Sequence, residues 1–155
     1  MNREFLKRAI DIARNKSADG SNGPFGAVVV YDNKIVSEGW NRVVELSDPT
    51  AHAEIAAIRS ACTELKTHVL SGCTIYCSCE PCPMCLAAIM WSRIDKVVFS
   101  CSQDDAAVAG FDDARINTEI MHDWDKRTID WEQTDQAEGI IVLENWVNNP
   151  HKIPY

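Results

Sequence analysis

The sequence predicts an α/β fold with helices on both sides of one sheet. Segments of helical and strand periodicity alternate in the order α-β-β-α-β-α-β before a less regular tail. At 155 residues, 46% hydrophobic and 25% charged, the chain has the size and composition of one packed domain. No repeat, low-complexity tract or linker divides it, so residues 1–155 are expected to be a single domain.

Residues 2–18 predict a helix. Leu6, Ala9, Ile10 and Ala13 recur at three- and four-residue spacing, and Asn2 can cap the start. The run Asp19-Gly20-Ser21-Asn22-Gly23-Pro24 ends it. Gly26 to Tyr31, with three consecutive valines, suits a strand. Asp32-Asn33-Lys34 turns the chain into a second strand to Trp40, making a hairpin. Residues 51–66 predict a helix with Ile55, Ile58, Cys62 and Leu65 on one side and Thr50 as its cap. Ser71-Gly72 is a turn, and Cys73 to Cys77 predicts a buried strand. Pro81 to Trp91 predicts a helix with Leu86, Ile89 and Met90 on its apolar side, and Lys96 to Phe99 a fourth strand. Beyond residue 100 the patterns suggest helix over 114–123, strand over 127–133 and helix over 137–148.

Charge and cysteine content narrow the function. The chain carries 23 acidic and 15 basic side chains, a net charge of −8. A binder of phosphate backbones needs Lys and Arg to release counterions, so nucleic acid is a disfavoured partner. No run of about 18 apolar residues predicts a membrane span. Residues 1–20 carry Arg3, Glu4, Lys7, Arg8, Asp11, Arg14 and Lys16 where a secretory leader needs an apolar stretch, which points to the cytoplasm. Seven cysteines cannot all pair within one chain, and thiols in a reducing compartment suggest metal binding or catalysis.

The informative residues are His52-Ala53-Glu54 and Pro81-Cys82-Pro83-Met84-Cys85, each at the start of a predicted helix. Catalytic zinc takes three protein ligands of nitrogen and sulfur and keeps one position open. Cys82 and Cys85, three apart on a first helical turn, share a face. Free backbone N–H groups and the helix dipole lower thiol pKa there. Pro83 suits the first helical position, where its missing N–H would have no partner. His52 offers the nitrogen. Glu54, two residues on, can reach the open position as a proton shuttle without being a ligand. Other readings of the cysteines are a redox pair, or a closed structural site completed by Cys77 and Cys79. Cys62, Cys73 and Cys101 suit small core positions, and His68, His122 and His151 suit the surface.

These motifs resemble the cytidine deaminase-like superfamily over roughly residues 2–115. More narrowly the chain resembles the small bacterial guanine deaminases. The segments that carry this are Gly23-Pro-Phe-Gly-Ala-Val-Val-Val30, Asp48-Pro-Thr-Ala-His-Ala-Glu-Ile55, Ser78-Cys-Glu-Pro-Cys-Pro-Met-Cys85 and Asp105-Ala-Ala-Val-Ala-Gly-Phe-Asp-Asp113. The last segment and the terminal Tyr155 lean toward guanine. The resemblance implies a three-layer α/β/α sandwich around a mixed five-stranded sheet. It also implies a homodimer with one Zn²⁺ per subunit held by His52, Cys82 and Cys85, and Glu54 as the catalytic group. The reaction implied is hydrolysis of guanine to xanthine and ammonia. Phe25 would stack on the base, Asn41 and the Ala53 backbone would hydrogen-bond it, and Asp113 would accept from its N–H groups. Glu119 would be a second proton relay. The C-terminal segment, about 137–155, would cross to a partner subunit and place Tyr155 over its site. Asn41 reads equally well as a turn residue, and Asp112 as a cap or solvated acid.

A tRNA adenosine deaminase shares most of these motifs. An RNA enzyme needs basic residues near its C-terminus, whereas residues 116–155 hold Lys126, Arg127 and Lys152 against eight acids. That balance favours a small nucleobase. Cytosine or guanosine fits the same chemistry, and a zinc-binding structural protein without turnover is the reading of another class.

Overall fold

The computed structural model describes residues 2–154. Tyr155 lies outside them. The chain divides into two compact units, Met1–Asn117 and Thr118–Tyr155.

In the first unit, α1 (Arg3–Lys16) starts where Asn2 Oδ1 accepts from the Glu4 N–H at 3.0 Å. Strands β1 (Gly26–Tyr31) and β2 (Lys34–Trp40) pair antiparallel through a turn in which Asp32 and Asn33 both have positive φ, as the right-handed twist of a two-residue hairpin loop requires. A one-turn helix α2 (Val43–Leu46) leads to α3 (Ala53–Leu65). Then come β3 (Thr74–Cys79), α4 (Pro83–Trp91), β4 (Lys96–Cys101) and α5 (Gln103–Val108). Helix α6 (Asp113–Met121) spans the division between the units. The sheet order is β2-β1-β3-β4, with β1/β3 antiparallel and β3/β4 parallel.

Side chains alternate across a strand, and the two sides of β1 meet different partners. Val28 and Val30 pack with Ala9 and Ile12 of α1, alongside Tyr76 and Val98. Ala27 and Val29 pack with Ala53, Ala57, Ile58 and Ala61 of α3 and Ile89 of α4, alongside Ile75 and Cys77. Helix α3 lies very close to β2. A Cβ on Gly39 would stand 2.2 Å from the Ala53 carbonyl oxygen and 2.6 Å from the Ala57 nitrogen. The buried Ser37 hydroxyl of β2 donates to the Ala57 carbonyl at 2.7 Å and ties helix to strand. Gly26 gives α1 the same close seat on the opposite face, its Cβ position being 2.4 Å from the Ala9 oxygen.

Several expectations change. The sheet has four strands among the described residues, not five. Residues 127–133 form no strand, because a strand needs a ladder partner and none pairs with them among the described residues. They are mostly exposed and follow a short 3₁₀ turn, Trp124–Lys126. The cap of α3 is His52, not Thr50, whose own N–H and hydroxyl donate to Asp48 Oδ1. On α4 the buried residues are Cys85 and Ile89, while Leu86 and Met90 are 49% and 65% exposed. The helix is apolar almost all round, so periodicity could not single out its inner face. Cys73 is buried, Cys62 half-buried and Cys101 exposed on β4, an edge strand. In the second unit, α7 (Gln136–Asn148) has no buried residue, and Ile140, Ile141, Val142, Leu143 and Val147 are exposed.

Candidate active site

Two helix N-termini build the site. His52 caps α3 from extended backbone, its carbonyl accepting from the Ala56 N–H at 3.0 Å. Cys82 caps α4 in the same way, accepting from the Leu86 N–H at 2.8 Å, and Pro83 occupies the first helical position. Cys85 follows three residues on, its Sγ turned back over the first turn.

The His52 Nδ1 atom lies 3.6 Å from both Cys82 Sγ and Cys85 Sγ, and the three ligand atoms all fall within 4.8 Å of one another. Nitrogen and sulfur on one tetrahedral zinc, at bond lengths of about 2.0–2.1 and 2.3 Å, stand roughly 3.6 Å apart. The donor set therefore fits zinc in element, number and spacing. The electrostatics agree. Cys82 is pushed down to about 4, first by the Cys85 thiol and then by His52. Cys85 is pushed up by the same Cys82 neighbour and by burial. Two adjacent thiolates repel, and a dication between them removes the conflict. His52 is raised by its hydrogen bond with Cys82.

Glu54 is 7% exposed, and Cys85 Sγ donates to its Oε2 at 3.5 Å. Burial pushes its carboxyl up to about 7, into the range where it exchanges a proton readily; the charge of a bound dication pulls the other way. Cys77 and Cys79 do not complete a four-cysteine site. Cys79 Sγ donates to the Ser102 carbonyl at 3.4 Å, and burial pushes both thiols up. Among the described residues the group of metal donors is His52, Cys82 and Cys85.

A cavity of about 280 Å³ opens beside these residues. That is just under the usual range for small-molecule pockets, roughly 300–1,000 Å³. His52, Glu54 and Cys82 line it together with Phe25, Asn41 and Asp113. Phe25 meets Phe111 edge to face, with ring centres 4.6 Å apart. Asn41 is buried; its Oδ1 accepts from the Gly23 and Val43 N–H groups, each at 3.3 Å. Burial and the nearby Cys82 raise the Asp113 carboxyl. Ala53 is fully buried against β2 and does not line the cavity. Glu119 belongs to the second unit, where its carboxylate accepts from the Thr128 N–H at 2.9 Å. Asp112 pairs with Arg115 at 3.3 Å on the surface.

Sequence reasoning assigned no role to Gly23, Val43, Val44, Pro49, Glu80 or Phe111, which complete the wall. Glu80 and Phe111 stand inside the motif segments, and that position was the only available signal. Glu80 accepts from the Gln103 N–H at 3.2 Å, and Gln103 Nε2 donates to the Pro81 carbonyl at 2.9 Å. These bonds hold α5, and the Phe111 turn after it, against the cysteine loop. The described lining holds three carboxylates and no Lys or Arg.

Comparison with known proteins agrees with this geometry. Residues 1–101 match the cytidine and deoxycytidylate deaminase zinc-binding region. The chain is 47% identical to guanine deaminase of Bacillus subtilis over 156 residues, covering all of both chains. The X-ray structure of that enzyme superposes with a TM-score of 0.95, covering 100% of this chain and 99% of the other. A tRNA-specific adenosine deaminase of Aquifex aeolicus is 48% identical over 96 residues, which is 62% of this chain and 63% of that one. With a His/Cys/Cys donor set, a buried carboxylate beside it and a family match over residues 1–101, the chain belongs to the zinc-dependent cytidine and deoxycytidylate deaminase family.

Proposed function

We propose that the protein hydrolyses guanine to xanthine and ammonia, in the cytoplasm, as a step of purine breakdown or salvage. The observation that carries the chemistry is Glu54, a buried carboxylate that is not one of the three metal donors yet shares a cavity wall with His52 and Cys82 and accepts from Cys85. A structural zinc site needs no such group. His52, Cys82 and Cys85 hold one Zn²⁺ per subunit, which when bound acidifies water toward a pKa of about 7.

Glu54 takes the proton of the attacking water and passes it to a ring nitrogen as the bond to C2 forms. It then takes the remaining proton from the new C2 hydroxyl and delivers it to the amine as the C2 carbonyl forms and the C–N bond breaks, and ammonia leaves. Phe25, held edge-on by Phe111, stacks on the ring. Asn41 presents its amide to the base, and Asp113 accepts from guanine N–H groups. The full-length likeness to the Bacillus enzyme supports guanine, as does a wall without Lys or Arg, which suits an uncharged base better than a phosphate.

The scaffold we assign is one three-layer domain working as a homodimer, with the segment from about residue 137 to Tyr155 crossing to the partner site. The exposed apolar side chains of α7 and α4 support this, since each would leave water on association.

An ammonia-release panel over guanine, guanosine, adenine, cytosine and a tRNA anticodon stem tests the function. Release from guanine is expected; turnover of the tRNA with none of guanine overturns it. Deletion of Tyr155 is expected to lower turnover with zinc content intact, and unchanged kinetics removes its role.

A further inference from the structure

We infer that Gly23 is a positioning residue for substrate recognition, acting through Asn41. The inference rests on the base-deaminase reading above.

Two features of Gly23 need explaining together. Its φ is not positive, so its backbone conformation does not call for glycine, unlike Gly20 earlier in the same loop at φ +78°. Yet a Cβ there would stand 3.0 Å from Asn41 Cγ, 3.1 Å from Oδ1 and 3.3 Å from Nδ2. The three heavy atoms nearest that position all belong to the Asn41 carboxamide, so the missing side chain leaves room for it.

The same residue fixes which way that carboxamide faces. The Gly23 and Val43 N–H groups both donate to one end of it, each at 3.3 Å, and only the oxygen can accept them. The Asn41 backbone N–H donates to the Phe25 carbonyl at 3.1 Å, and the Phe25 N–H to the Gly23 carbonyl at 2.8 Å. The turn 23–25 thus grips Asn41 at side chain and main chain and carries Phe25 on the same cavity wall. With its oxygen engaged, Asn41 has its Nδ2 donors left for a ligand. The group it meets on the base is an acceptor, a carbonyl oxygen or an unprotonated ring nitrogen. A methyl at position 23 would push the amide off this geometry without touching Glu54 or the metal donors.

The test is a double-mutant cycle of Gly23→Ala and Asn41→Ala on the zinc-loaded full chain. It uses whichever base of the panel is turned over fastest, so inactivity on guanine overturns the guanine assignment and leaves the cycle readable. Gly23→Ala alone is expected to raise KM roughly tenfold, the worth of one hydrogen bond, with kcat within about twofold. In the Asn41→Ala background, where the methyl has room, it is expected to change KM by less than about twofold. Should Gly23→Ala fold poorly, the double variant is expected to recover its Tm and zinc content. Wild-type kinetics for Gly23→Ala, an equal loss in both backgrounds, or a double variant folding no better than the single would overturn the inference.

Discussion

Gly39→Ala places a methyl where the backbone of α3 already sits. Ordinary van der Waals contact begins at 3.4 Å, and the new Cβ would be 2.2 Å from the Ala53 oxygen, so α3 must retreat from β2 by about 1.2 Å (3.4 − 2.2). No flexible side chain can absorb this, because the two nearest atoms are backbone. The retreat also stretches the 2.7 Å bond from the Ser37 hydroxyl to Ala57. Overpacking and a weakened buried hydrogen bond together cost about 2–4 kcal/mol, or roughly 5–15 °C in Tm. The end of α3 that moves carries His52 and Glu54. Misplacement of about 1 Å costs on the order of 100-fold in rate, so kcat/KM should fall by about that factor and zinc content with it.

Gly26→Ala is the matched control. Its Cβ would stand 2.4 Å from the Ala9 oxygen and 2.7 Å from the Ala13 nitrogen, forcing a similar retreat of α1 on the other face of the sheet. Helix α1 carries none of the metal donors. The two variants should therefore lose similar stability by denaturant titration, while only Gly39→Ala loses zinc and rate, assayed well below its Tm. Equal zinc content and equal kcat/KM in the two, or an unchanged Tm for Gly39→Ala, would refute the link between the helix seat and the site.

Glu54→Gln should lower kcat about 10²–10⁴-fold while bound zinc stays at the wild-type level, measured by ammonia release and metal analysis. Cys85→Ala should lose the metal, since two donors remain of the three that converge, and a strong chelator should abolish wild-type turnover with recovery on adding zinc. Guanosine 5′-monophosphate should show no detectable turnover under conditions where guanine is consumed, because the wall offers Glu54, Glu80 and Asp113 and no Lys or Arg to a phosphate. Efficient hydrolysis of the nucleotide would contradict that electrostatic argument.

The metal donors were legible because their physics is local. Two helix starts, a proline at the first position of the second and an i,i+3 pair of cysteines fix where each ligand points relative to its own helix. The hairpin was legible for the same reason: its turn residues and strand periods all lie between Gly26 and Trp40. The apolar face of α4 was not legible. Its burial depends on which neighbour covers it, and Leu86 and Met90 are exposed beside the buried Ile89. The segment 127–133 has a strand-like pattern without a strand to pair with, and pairing cannot be decided by a segment alone.

By itself, then, the sequence determined the α/β order and marked His52, Glu54, Cys82 and Cys85 as candidates, since each motif is local to one helix start. Only the tertiary structure decided how close the elements stand. It set the 3.6 Å separations between His52 and the cysteines, the walls supplied by Glu80 and Phe111, and the tight seats at Gly26 and Gly39. Those distances arise between segments tens of residues apart, where packing rather than local propensity chooses the partner.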